Sequence, residues 1–123
     1  MNQLENPDMN TLPAVPGCTI IGIVHGRPEK RDELLALLRS FVAPTRAESG
    51  CIEYQFHVSE DDPNAFMFYE NWTSREALAE HLDTPHIAPM LARKTELLAR
   101  EVEIRHYTML APLQVRLGSG LAA

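Results

Sequence analysis

At 123 residues the chain suits one domain and is short for two, since domains cluster near about 100–150 residues. An apolar share of 45% and a charged share of 23%, with nine prolines and six glycines, exclude a disordered or collagen-like chain. Eleven Lys and Arg against seventeen Asp and Glu leave a net charge of −6, which opposes a phosphate backbone and argues against nucleic-acid binding.

Residues 1–17 carry Pro7, Pro13, Pro16 and Gly17 without a helical or strand period and read as an N-terminal arm. The folded domain is expected over 18–110. Thr19–Gly26 is short and β-branched, the pattern of a buried first strand ended by Gly26 and Pro28. From Glu29 to Glu48, Leu34, Leu37, Leu38, Phe41 and Val42 recur at helical spacing, and Ser49-Gly50 stops the helix. Pro44 is expected to kink the last turns, or to divide the helix into 29–43 and a final turn.

In Cys51–Ser59, Ile52, Tyr54, Phe56 and Val58 alternate with polar residues, which predicts a second strand with one buried face. The turn Glu60–Asn64 leads into Ala65–Trp72, a third strand apolar on both faces for most of its length, and the two strands make a hairpin. Thr73 and Glu76 then form a capping box for a helix over 73–83. Thr84-Pro85 restarts a helical signal that runs through Ile87, Met90, Leu91, Thr95 and Leu98, broken by Pro89. Arg100–Met109 alternates as a fourth strand, and 111–123 is a small-residue C-terminal tail.

The order strand, helix, strand, strand, helix, strand predicts an α+β, ferredoxin-like βαββαβ fold with strand order 4-1-3-2. Cys18 and Cys51 then fall on strands that are not neighbours and do not bridge. Two cysteines outside any C-x-x-C, and no apolar run long enough for a bilayer, predict a cytoplasmic protein without a membrane partner. Two helices cover one face of such a sheet only. Because the third strand is apolar on both sides, the other face is expected to pair with a second copy as a homodimer.

The runs Gly50–Tyr54 (GCIEY), Phe68–Trp72 (FYENW) and His81–His86 (HLDTPH), in this order and spacing, resemble the antibiotic biosynthesis monooxygenase family near its quinol monooxygenase branch, over roughly 19–109. That resemblance implies a dimeric α+β barrel with a ligand cavity between sheet and helices. It also implies oxidation of an electron-rich quinol or polyphenol by O2 without a cofactor, in an apolar pocket with a proton acceptor.

Trp72, His81 and Glu70 are the candidate catalytic residues. Trp72 ends the third strand, where its ring either stacks on a planar substrate or anchors the core. His81 lies on the apolar side of the capped helix and is the best candidate base near neutral pH, against the reading of a histidine satisfied by a local carbonyl. Glu70 shares the face of Trp72; it either has its pKa raised in an aromatic cavity or pairs with Arg105. Tyr54, Phe68, Leu78 and His86 are the expected substrate-binding residues, and His86 could equally cap the next helix. Asn71 points the other way, towards the expected dimer face, and His25, His57 and His106 read as structural.

No metal is expected. The five histidines include no H-x-H or H-E-x-x-H, and His81 and His86, on either side of Pro85, do not share a helical face. Haem-degrading relatives of the resembled family use a strand-one Asn together with the Trp and a His; this chain has no Asn between Gly17 and Gly50, and His81 lies one residue closer to the Trp. Cys51 shows no cationic partner that would activate it as a nucleophile. The alternatives to an oxygenase are a non-enzymatic dimeric module that binds a small molecule, and an isomerase on the same fold.

Overall fold

A computed structural model describes residues 17–111. The expected arm and tail lie outside the described residues, apart from Gly17 and Ala111. The elements run β1 (Cys18–His25), α1 (Arg31–Ser40), α2 (Val42–Arg46), β2 (Cys51–Val58), β3 (Ala65–Trp72), α3 (Arg75–Leu82), α4 (Ala88–Ala92), α5 (Lys94–Leu97) and β4 (Glu103–Tyr107). They form one antiparallel sheet in the order β2-β3-β1-β4, the ferredoxin-like arrangement. Cys18 and Cys51 are both free thiols.

Strand pairing sets the rows that build the site. Tyr54 pairs with Glu70, Glu70 with Ile20 and Ile20 with His106, a single row across all four strands. Side chains alternate across a strand, so Cys18, Ile20 and Val24 share the helix-covered face with Phe66, Phe68, Glu70 and Trp72, all buried. Leu34, Leu38, Phe41, Leu97 and Leu98 complete this core.

Several local features depart from the expected pattern. Ile52 is not on the buried face: Cys51 pairs with Trp72 and Glu53 with Asn71, so Ile52 is the extra residue of a β-bulge and is exposed. The first helix divides at Phe41, earlier than the expected 43, because Pro44 has no N–H to return to Ser40 and its ring crowds that carbonyl. Ser74, not Thr73, caps α3, its hydroxyl accepting the Ala77 N–H at 3.0 Å. Thr84 does not start the next helix; its hydroxyl donates to the His81 carbonyl at 2.7 Å and closes the end of α3. The helix begins instead at Ala88 with Pro89 in its first turn, which turns Met90 inward and leaves Leu91 exposed. Leu98 has left the helix and forms an isolated bridge with Gly26. β4 is shorter than expected because it pairs with β1 only from Thr19 to Ile23.

On the other face of the sheet, Ile21, Ile23, Met67 and Tyr69 are half-buried. Asn71, expected to offer its amide to a partner subunit, is wholly buried: it accepts from the Thr19 hydroxyl and donates to Glu53 at 2.8 Å. Among the described residues no helix is long and apolar enough to cross a membrane.

Candidate functional site

A cavity of about 260 Å³ lies between the sheet and α3. Glu70, Ile20 and His106, consecutive in the row described above, form its floor with Ile104, and Leu78, His81 and Leu82 of α3 form the opposite wall. The α3 residues are three and four apart, so they lie on one helix face. A wider depression of about 410 Å³ over Arg27, Lys94 and Arg100 is a charged surface groove. None of the group Glu70, His81 and Trp72 lines it.

Glu70 is 8% exposed, and its Oε1 accepts the Trp72 indole N–H at 2.9 Å. Burial pushes its carboxyl up to about 7; the Trp72 hydrogen bond opposes the shift and the charge of Glu48 adds to it. The carboxyl is thus poised to take or give a proton near neutral pH. The alternative of an Arg105 salt bridge fails, because Arg105 pairs with Ile21 on the opposite face of β1 and lies beside Glu103.

His81, 3% exposed, closes the last turn of α3. Its Nδ1 lies 2.8 Å from Oε2 of Glu48, which leaves Nε2 as the nitrogen available to a ligand. Burial lowers its pKa and Glu48 pulls the other way. The ring is held between Trp72, centroids 4.6 Å apart, and the edge of Tyr54 at 5.7 Å. Glu48 reaches it because β2 begins hard against α3: a Cβ at Gly50 would overlap the Ala77 side chain, so only glycine allows this approach.

Glu70, His81 and Leu78, among the residues the sequence singled out, are brought together on the cavity. Trp72 is not on its surface; the ring is fully buried and touches the cavity only through Glu70 and His81, so it backs the site rather than offering a face for stacking. Tyr54 and Phe68 pack in a tilted pair, ring centroids 5.1 Å apart, and stand behind the lining residues in the same way. His86 does not line the cavity; its Nε2 lies 2.8 Å from the same Glu48 oxygen that His81 contacts. His81 and His86 share no helical face, as expected, yet the chain turns between α3 and α4 and delivers both to Glu48. The donor atoms of the three residues lie within 4.8 Å of one another.

Two contributors were missed. Glu48 lies 33 residues from His81, and no spacing signal joins a helix end to a residue so distant. His106 falls by alternation on the same face of the fourth strand as Ile104, but only strand pairing shows that it shares a row with Glu70. Of the other histidines, His25 contacts Glu103 at 2.8 Å and His57 contacts the Met67 carbonyl at 3.2 Å. Burial pushes the Cys51 thiol up, away from a reactive thiolate.

The Trp72 contact predicts a measurable shift. In Trp72→Phe the carboxylate loses the donor that holds its pKa down, so Glu70 should titrate higher than about 7. A carboxyl-carbon NMR titration checks this, and an unmoved Glu70 would show that the indole N–H does not tune it.

A family model described as "Antibiotic biosynthesis monooxygenase" matches residues 14–93. The "Putative monooxygenase Rv0793" of Mycobacterium tuberculosis is 44% identical over 71% of this chain and 82% of its own length. The "Uncharacterized protein sll1783" of Synechocystis is 38% identical over 72% of this chain, and the match spans only 60% of that longer protein. Among solved structures, PA3566 from Pseudomonas aeruginosa superposes with a TM-score of 0.74 at 31% identity, covering 81% of this chain and 98% of its own.

Proposed function

This chain belongs to the antibiotic biosynthesis monooxygenase family, and from that premise we propose that it oxidises a quinol or polyphenol-type aromatic with O2, without a cofactor. The observation that carries the reading is the pairing of two buried proton-transfer groups, Glu70 and His81, on one mainly apolar cavity. An engineered cavity of roughly 150 Å³ holds benzene, so the 260 Å³ here suits a substituted single ring.

His81 Nε2 accepts the proton of a substrate hydroxyl, and the electron-rich anion that results transfers an electron to O2 directly. Oxidation of a hydroquinone to a hydroxyquinone supplies four electrons, enough to place one oxygen atom in the product and reduce the other to water, so no outside reductant is needed. Glu70, near half-protonated at neutral pH, returns a proton to the reduced oxygen. The apolar walls keep bulk water from the anionic intermediate.

Oxygen uptake by the purified protein across a panel of hydroquinones tests this, with ¹⁸O₂ label expected in the product. A panel that binds with no oxygen consumed would overturn it. The same two groups could shuttle a proton between substrate carbons, and isomerisation without oxygen uptake is the outcome that would favour that second reading.

The proposed form is a homodimer joined through the open sheet face, supported by Ile21, Ile23, Met67 and Tyr69 side by side on the central strands β1 and β3. Sedimentation at micromolar concentration should give twice the 13.8 kDa chain mass. A species at the chain mass would defeat the dimer.

A further inference from the structure

We propose that Glu48, His81 and His86 form a binding site for one borderline divalent cation of the zinc class, and that filling it turns His81 from a proton acceptor into a hydrogen-bond donor. Three segments converge here: the end of the α2 region, the last turn of α3 and the turn before α4. Nδ1 of His81 and Nε2 of His86 each lie 2.8 Å from Oε2 of Glu48, and all three donor atoms fall within 4.8 Å of one another. Both contacts fall on one carboxylate oxygen rather than being shared between two, so the two imidazoles converge on the same side of Glu48.

Two imidazoles and a carboxylate suit zinc, cobalt(II) or nickel(II) better than magnesium or calcium, which favour all-oxygen sites. Zinc needs its nitrogen and oxygen ligands at about 2.0–2.2 Å, so around an inserted ion the carboxylate oxygen must draw back from the two nitrogens while the nitrogens close towards each other. His86 has room to do this: its side chain is 21% exposed and that of Glu48 16%, which also opens a route from solvent. The His81 side chain, 4% exposed, is the fixed inner ligand, braced by Trp72 and Tyr54. Three protein ligands leave one position for water.

The proton balance gives the site its consequence. Without an ion, His81 donates its Nδ1–H to Glu48 and Nε2 is free to accept. An ion on Nδ1 displaces that proton, and the ring stays neutral by carrying it on Nε2. His86 likewise moves its proton from Nε2 to Nδ1, so neither neutral ring loses a proton overall. Nε2 of His81 can then only donate. The ion takes no part in the oxidation; it removes the acceptor that the oxidation uses. This functional consequence rests on the proposed oxygenase reading, whereas the site and the tautomer change do not.

The test uses the full chain stripped of metal by chelator and titrated with Zn²⁺, with bound metal measured after dialysis and the His81 ring followed by ¹⁵N NMR. One zinc per chain is expected, with the His81 N–H moving from Nδ1 to Nε2. Glu48→Gln and His86→Ala should each weaken binding by about tenfold or more, while His57→Ala should bind as the parent does. His86 is partly exposed, so His86→Ala decides the matter if Glu48→Gln fails to fold. No saturable binding, or undiminished binding by folded His86→Ala, overturns the site; zinc bound with the His81 tautomer unchanged overturns the switch. None of these readouts is enzymatic activity, so they separate failure of the site from failure of the oxygenase reading.

Discussion

Glu70→Gln should stabilise the protein at about pH 9 by about 3 kcal/mol relative to its effect at about pH 4. The folded carboxyl titrates at about 7 and an ordinary glutamate at 4.5, so between these values the folded state keeps a proton that the unfolded chain releases. Stability from this group is therefore fully present below pH 4.5 and is lost as the pH rises through 7. The glutamine amide removes that dependence, and its oxygen can still accept the Trp72 N–H. The lowered pKa of His81 acts in the opposite sense, with stability lost as pH falls below its ordinary 6.5, but it is common to both proteins and cancels in the difference. Chemical denaturation of the two proteins across this range checks the prediction, and parallel stability profiles would refute a raised Glu70 pKa. The same variant should lose turnover, so that a gain in stability accompanies a loss of function, as expected where a buried carboxyl is kept for chemistry.

His81→Gln should lower quinol-dependent oxygen uptake by about 10²-fold or more with little change in KM, because a positioned base acts on the transition state more than on binding. Glutamine is the informative choice. Its side chain can still fill much of the space between Trp72 and Tyr54, whereas alanine would leave a hole against two buried rings and cost about 2 kcal/mol or more. Measuring melting temperature and turnover on both variants separates chemistry from packing. A His81→Gln protein that is destabilised yet fully active would show a structural histidine.

Sequence by itself determined the element order, which residues of β3 share a face, and three of the residues that meet at the cavity. Period-2 alternation and helical spacing are local, and that Phe66, Phe68, Glu70 and Trp72 share one face follows from alternation alone, whereas which of two largely apolar faces the helices cover does not. The motif order around Gly50, Trp72 and His81 was equally legible, and it pointed to the family that the chain belongs to. Tertiary structure decided the rest wherever the outcome depended on what one segment meets in another. The bulge that expels Ile52 arises from pairing with β3. Trp72 was legible as an aromatic at the right place, but whether its ring faces a ligand or is walled off depends on Glu70 and His81 packing over it. Most of all, Glu48 joins His81 and His86 across more than thirty residues of chain, through the close approach of Gly50 to α3. A contact of that kind leaves no period or spacing in the sequence, because its geometry exists only once the sheet has paired and the helix has docked.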